Sequence, residues 1–318
     1  MKTVFYYAYK NTQFFPRHPD ADLGSIIHNF YENYTKWDIK DIETFNKKWN
    51  ELIDKLNKDY KINKLQRHYY PVQWHSNFYA VKKQLLKNQL IKHFHKGDIA
   101  SNTKKEVWIE DKEKIIAGKA DMLIYDKNGN VTEVIDFKTG NIFEKKNGNK
   151  DIKNAYKLQL ALYSKVIMDK QGTTPALSII DMNGKKFSLE LPCNLIIQIF
   201  IEAESLKEKI NSALTEKKYE KLSNPTPDNC YMCDYRKVCS AYKNKLLNHP
   251  IKKNIDVKGK IRKISDKLFN IVTGKEVFPV INQHSLKIRE NHEVIIYNLY
   301  ISNKNNLYTQ KNTIIEYE

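Results

Sequence analysis

Three side chains in one stretch could do chemistry together: Asp121 in GKADMLIY, and Asp136 and Lys138 in TEVIDFKTG. Both runs are rich in Val, Ile, Leu and Met, as half-buried strands are, and Asn128-Gly129 between them is a strong hairpin signal. A two-residue turn there sets Asp121 opposite Asp136, Lys119 opposite Lys138 and Leu123 opposite Val134. Side chains alternate along a strand, so Asp136 and Lys138 share a face that Asp121 joins across the ladder. Facing residues have Cβ atoms roughly 4.5–5.5 Å apart, where like charges repel. Two carboxylates held that close call for a cation. Hard divalent ions such as Mg2+ take oxygen ligands from one or two carboxylates plus water and substrate phosphate. Lys138 on the same face could orient or help deprotonate a metal-bound water, or neutralise charge developing on a phosphate. The competing reading is a solvated polar face with incidental aspartates. A one-residue slip in register would restore it, and the hairpin alone leaves both readings open.

Several elements must position these groups. A short apolar opening at 4–9 reads as a strand, and a helix begins near Asp22, with Leu23, Ile27, Phe30 and Tyr34 at helical spacing. Residues 38–98 read as helical, basic and aromatic, with DIETFNKKWNELIDKLNKDY amphipathic. Residues 105–138 turn to strands. A polar loop, EKKNGNKDIKN, precedes the helix AYKLQLALYSKVIM, and a second hairpin turns at Asn183-Gly184. A long amphipathic helix over 194–219 follows, then a cysteine-containing stretch and a tail of short strands. The expected fold class is α/β: a mixed central sheet flanked by helices, with a helical insertion and a small C-terminal β-rich module. The expected segments are 1–37 (strand and histidine-bearing helix), 38–104 (insertion), 105–222 (core), 223–250 (cysteine segment) and 251–318 (β-rich module).

The chain has 318 residues and a formal net charge of +17, from 54 Lys+Arg against 37 Asp+Glu. A surplus of that size points to a polyanionic partner, nucleic acid before membrane, although a lysine-rich chain can also be simply soluble and basic. The start lacks the apolar run of a signal peptide and no run of 18 apolar residues occurs, so a soluble cytoplasmic protein is expected. In that compartment the four cysteines are not expected to form structural disulfides.

GKAD…VIDFKTG resembles the core of the PD-(D/E)XK nucleases, in particular the RecB/AddB-type branch that includes the CRISPR adaptation nucleases and related phage exonucleases. Three further motifs carry the resemblance over roughly residues 20–240. Gly-x-x-x-His is matched by Gly24 and His28, Gln-x-x-x-Tyr by Gln159 and Tyr163, and Cys-x2-Cys-x5-Cys by Cys230, Cys233 and Cys239. Ala120 stands where the superfamily name places proline. The resemblance implies a restriction-endonuclease-like core. His28, Asp121 and Asp136 would bind Mg2+ or Mn2+, with the Phe137 carbonyl as a further ligand, and Lys138 would be the catalytic lysine. Gln159 and Tyr163 would brace the site and contact DNA. Glu106 and Glu110 are weaker candidates. The implied activity is a metal-dependent deoxyribonuclease, an exonuclease preferring single-stranded ends. An inactive nuclease-fold scaffold is the alternative, and a zinc-dependent regulator leaves Asp121, Asp136 and Lys138 unexplained. Repair, phage recombination, CRISPR adaptation and defence all remain open as settings. In the insertion, Lys47, Lys48, Trp49, His68, Tyr69, Tyr70 and Trp74 interleave cations and rings, which suits tracking and stacking on single strands. Equally, the rings could be helical core and the lysines a solvated face.

In the branch that this chain resembles, the cysteine motif belongs to a 4Fe-4S cluster whose fourth cysteine lies upstream. Here no cysteine precedes Cys193, and in FFPRH Phe15 stands where that residue is expected. Three readings stay open: a cluster with a non-cysteine ligand such as His18, a zinc site completed by histidine, or no metal. Cys193, at a strand–helix junction, is expected to be an ordinary buried thiol.

Overall fold

The computed structural model describes residues 12–34, 36–76, 79–96, 102–113, 116–146, 148–231, 233–274 and 276–318, with the main chain alone at 91–96, 146 and 219. The strand expected at 4–9 lies outside these. The chain divides into two compact units: one holds 17–63 and 70–208, the other 64–69, 209–318 and the residues up to Pro16.

The first unit is mixed α/β. Helices α1 (Pro19–Asn33), α2 (Ile42–Ile62) and α3 (Tyr79–Lys96) precede strands β1 (Thr103–Glu110), β2 (Ala117–Tyr125) and β3 (Val131–Lys138). After β4 (Phe143–Lys146) and β5 (Asn149–Ile152) come α4 (Asn154–Gln171), β6 (Ala176–Asp181), β7 (Lys186–Leu189) and α5 (Cys193–Thr215). The main sheet has the order β1-β2-β3-β6-β7. Only β3 and β6 are parallel, with Asp136 level with Ile179, and the crossover that a parallel pair requires is α4. Apolar side chains of α4, among them Leu160, Val166 and Ile167, bury against Leu123, Val134, Leu177 and Ile179 of the sheet.

Helix α1 is started by the His18 side chain, which accepts from the Asp20 N–H, and Asp20 and Asp22 complement the helix dipole. Its apolar stripe buries Leu23, Ile26, Ile27 and Phe30. Phe30 packs on Phe45 and Trp49 of α2 at 5.2 and 5.8 Å between ring centroids. Trp49 is therefore core; Tyr69, which belongs to the other unit, is buried too, whereas Tyr70 and Trp74 are exposed, Trp74 by 78%. The composition of the insertion hid that split.

Both expected hairpins form, but neither has a two-residue turn. Asp126-Lys127-Asn128-Gly129 and Asp181-Met182-Asn183-Gly184 fold identically. The aspartate Oδ1 accepts from the N–H groups two and four residues on, at 2.8 Å in the first turn and 2.9 Å in the second. Each glycine follows with positive φ, +84° and +76°. Aspartate at the first turn position and glycine at the fourth favour a type I turn closed by a left-handed glycine, which overrides the Asn-Gly signal. The wider turn would shift the β2–β3 register by one residue, but a bulge beyond Tyr125↔Val131 restores it, giving Leu123↔Val134 and Met122↔Ile135. The polar stretch read as a loop is itself a small hairpin, β4–β5, turning at Gly148. Helix α5 stops at Thr215 because Lys217 turns left-handed and the Lys218 N–H reaches the Ala213 carbonyl, a Schellman closure.

The second unit contains α6 (Pro227–Tyr231), α7 (Ser240–Leu246) and β8 (Pro250–Ile251), then β9 (Asn254–Lys263), β10 (Leu268–Thr273), β11 (Glu276–Ile281), β12 (Glu293–Ile301), β13 (Leu307–Tyr308) and β14 (Ile314–Tyr317). Its sheet closes on itself because β12 pairs with both β13 and β9. Val257, Ile261, Phe269, Ile271, Val280, Val294 and Ile296 fill the interior. Gly259 sits where β9 presses on β10: a Cβ there would lie 2.4 Å from the Val272 carbonyl oxygen.

Candidate active site

Strand β3 carries Asp136 and Lys138 on the face covered by α4, with Asp136 only 2% exposed. Beyond Met122↔Ile135 the β2–β3 ladder parts. There the Phe137 N–H donates to Asp121 Oδ2 at 2.6 Å instead of to a main-chain carbonyl. The Asp121 carboxylate thus replaces a ladder bond, which holds it beside Asp136. Ala120 and Leu123 both face the apolar core, so the alternation of β2 breaks between them. Level with Asp121 on β1, Glu106 has φ +52°.

Gln159 on α4 bridges the other two groups. It accepts from Lys138 Nζ at 3.1 Å and donates to Asp136 Oδ1 at 3.3 Å. Lys138 Nζ also lies 2.6 Å from Asp136 Oδ2 and over the Tyr156 ring at 4.8 Å. The ammonium is thus shared between this buried Asp136 oxygen and the Gln159 amide. Tyr163 donates to the Lys119 carbonyl at 3.1 Å, one helical turn from Gln159. It fits only because residue 118 is glycine, since a Cβ there would lie 2.8 Å from the tyrosine ring.

Helix α1 approaches the end of β3 at Gly24, where a Cβ would sit 3.1 Å from Thr139 Oγ1. That close approach gives the Gly-x-x-x-His spacing its use: the glycine seats the helix and His28 follows one turn later. Tyr31, on the same helix, stacks on Phe137 with centroids 5.2 Å apart. Lys119 does not face Lys138, the expected pairing. The β2–β3 ladder ends before it, and its ammonium forms ion pairs with Glu106 at 2.7 Å and Glu32 at 3.1 Å.

The electrostatics follow from burial. Desolvation, then the neighbouring Asp136, pushes the Asp121 carboxyl up to about 7. Burial also raises Asp136, against the opposing pull of the Lys138 ammonium. Burial and then Lys138 hold His28 below the ordinary histidine range, so its imidazole is neutral, the form that binds metals. Two hard carboxylates side by side, both raised by burial, fit a divalent cation of the Mg2+ or Mn2+ type. The fit is partial: among the described residues no three His, Cys, Asp or Glu side chains are gathered as a ready ligand set.

Sequence reasoning placed Asp121, Asp136, Lys138, Gln159 and Tyr163 within reach of one another, and the structure brings these together, with His28 close enough for its charge state to depend on Lys138 and Asp136. It missed Tyr156, whose ring under Lys138 gave no motif signal, and Gly118. Of the weaker candidates, Glu106 lies beside the site and influences both Asp121 and His28. Glu110, opposite Ala117, stands at the far end of β1.

The cysteines lie in the second unit, except Cys193, and none forms a disulfide. Cys239 Sγ caps α7 by accepting from the Tyr242 N–H at 3.4 Å, and burial raises the Cys230 thiol. Arg236, between Cys233 and Cys239, is buried against Asp256 and Asn298. Phe15 packs 4.9 Å from its guanidinium and 5.4 Å from Tyr297. The segment is thus held by an aromatic and ionic network that uses Phe15 at the position of the expected cysteine. His18 is engaged in capping α1. Cys233 and Cys239 stand near enough to Cys230 to raise its thiol further, but among the described residues no three His, Cys, Asp or Glu side chains are gathered there as a ligand set. Cys193, expected to be buried, is exposed at the first residue of α5, with its thiol 3.8 Å from Met168 Sδ.

Among the described residues no helix is long and apolar enough to cross a membrane. A family model for the PD-(D/E)XK nuclease superfamily matches residues 4–240. No curated protein matches the sequence. Among solved structures, the crystal structure of a candidate exonuclease from Eubacterium rectale is similar over 72% of this chain and 77% of its own, at 12% identity and a TM-score of 0.37. That likeness is too slight to support a functional assignment.

Proposed function

The chain belongs to the PD-(D/E)XK nuclease superfamily, and from that premise we propose that it hydrolyses phosphodiester bonds of DNA with a divalent cation held at Asp121 and Asp136. The observation that carries this reading is the pair of desolvated carboxylates beside Lys138, with Asp136 almost wholly buried. Asp121 and Asp136 would hold Mg2+ or Mn2+, with neutral His28 and the Phe137 carbonyl as further ligands. When bound, the cation supplies an activated water and withdraws charge from the scissile phosphate.

The protein's own groups do the rest. Lys138 presents an ammonium where negative charge accumulates on the phosphate, and a fixed donor there costs no reorganisation during reaction. Gln159 holds that ammonium against Asp136, and Tyr163 anchors the Lys119 main chain that leads into Asp121. We further propose the RecB/AddB-type branch, on the spacing of Gly24 with His28 and of Gln159 with Tyr163. The exposed rings of Tyr70 and Trp74 support a preference for single strands, on which bases are free to stack.

The test is purified protein with Mg2+ or Mn2+ on end-labelled linear and closed circular DNA, in single- and double-stranded form. Degradation of linear single strands with circles left intact supports an exonuclease. Tight DNA binding without cleavage under any metal would replace this reading with that of a scaffold.

A further inference from the structure

The closed sheet of the second unit has a specific topology. Its strands run β9-β10-β11-β13-β12 and back to β9, and among these neighbours only β11 and β13 are parallel. Numbered in chain order, that is 1-2-3-5-4-1, the arrangement of oligonucleotide-binding barrels. In such barrels the outer face of strands two and three, flanked by the loops joining strands one to two and four to five, takes the ligand. Topology alone does not make a site, so the residues on that face decide the matter.

Alternation along β9 buries Val257 and Ile261 and turns Lys260 and Arg262 outward, both exposed. They stand level with Val272 and Asn270 on β10, and Val272 is in turn level with Val277 on β11, which is 53% exposed. At the joining loop, Ile264 is 58% exposed. On the other flank Tyr308 lies beside Ile281 and contacts Tyr300 at 6.4 Å between ring centroids. Cations and exposed apolar surface thus share the outer face of β9, β10 and β11, and the two rings stand on the strands that follow β11 round the barrel. Three carboxylates temper it: Glu293 is level with Lys260, Glu318 pairs with Lys258 at 2.7 Å, and in the joining loop Asp266 pairs with Lys263 at 2.7 Å. Exposed pairs of that kind are weak and yield to a phosphate. Over 252–318 the balance is 12 Lys+Arg against 7 Asp+Glu.

We propose that this barrel is a second nucleic-acid site that holds single-stranded DNA, with Lys260 and Arg262 on the phosphates and Tyr300 and Tyr308 against bases. Its cations suit a polyanion, and its rings and exposed Val277 suit unpaired bases better than a duplex, whose bases are stacked away. The proposal rests on the nuclease reading for the identity of the polyanion, while its test is independent of catalysis.

The experiment uses the full chain in EDTA, so that neither metal nor cleavage enters. Anisotropy of a fluorescein-labelled oligothymidylate of about 20 nucleotides gives affinity across a salt titration. Lys260→Glu with Arg262→Glu should weaken binding about tenfold or more and reduce the salt slope by about 1.4, roughly 0.7 for each phosphate no longer neutralised. A control reversing Lys170 and Lys209, exposed on α4 and α5, matches the change in net charge and should leave both readouts near wild type. Tyr308→Ala should weaken binding with the slope unchanged, because stacking releases no counterions. Unchanged affinity in the double variant, an equal loss in the control, or an equal loss on duplex DNA would each overturn the proposal. If charge reversal lowers the melting temperature, Lys260→Gln with Arg262→Gln carries the same test.

Discussion

Replacing Asp121 by Asn should stabilise the metal-free protein at neutral pH while abolishing cleavage. Burial and Asp136 raise the Asp121 carboxyl from the ordinary aspartate value of 3.8 to about 7. At about 1.4 kcal/mol per pH unit, ionising it inside the fold costs at most about 4 kcal/mol. Part of that cost is shared with Asp136, so a gain of about 2 kcal/mol is expected, or roughly 4–8 °C in the melting temperature of a unit this size. The asparagine carbonyl can still accept from the Phe137 N–H, so the ladder contact survives. The sign follows from linkage. A carboxyl whose folded pKa lies above its unfolded one binds a proton in the folded state first, so wild-type stability rises as pH falls from about 7 toward 4. The variant lacks that gain, so its advantage should shrink steadily below about pH 7 and be nearly gone by about pH 4. Thermal melts in EDTA across this range read the effect directly. A variant that melts at or below wild type near neutral pH, or an advantage that is undiminished at about pH 4, would refute the reasoning. Added Mn2+ should reverse the order by stabilising the wild type alone.

Gly118→Ala should destabilise the core by about 1–3 kcal/mol, because its Cβ would stand 2.8 Å from the Tyr163 ring; denaturant unfolding measures it. Arg236→Ala should cost about 3–5 kcal/mol by leaving the buried Asp256 carboxylate without its cation, with only the Tyr242 hydroxyl and the Asn298 N–H still donating to it, whereas Cys233→Ala should change iron and zinc content not at all in protein purified without oxygen. Trp74→Ala should leave the melting temperature unchanged and weaken single-strand binding by about 1–3 kcal/mol in an anisotropy assay, since an exposed ring contributes stacking and not core.

Much of the site was legible because its signals are local. Asp136 and Lys138 share a strand and Gln159 and Tyr163 a helix face, so spacing alone fixes their directions. The register that leads up to Asp121 and Asp136, with Met122 opposite Ile135, emerged from two compensating departures, a wider turn and a bulge. Aspartate ahead of Asn-Gly was the overlooked signal, and it recurs at Asp181 with the same outcome. The cysteine segment was less legible. A ligand motif states which residues could bind a metal, but not that Phe15 and Arg236 supply the packing and charge that hold the segment. The role of Gly118 depends on a ring from a distant helix, which no local pattern encodes. In the insertion, burial separates Trp49 from Trp74, and composition cannot.

The central claim is that Asp121 and Asp136 form a metal-dependent phosphodiesterase site. It is tested most directly by single-turnover cleavage of end-labelled single-stranded DNA with Mn2+, comparing wild type with Asp136→Ala. The account predicts rapid cleavage by wild type, none in EDTA, and a loss of at least about a thousandfold, roughly 4 kcal/mol of barrier, in the variant. Cleavage by Asp136→Ala at the wild-type rate, or undiminished cleavage in EDTA, would contradict it.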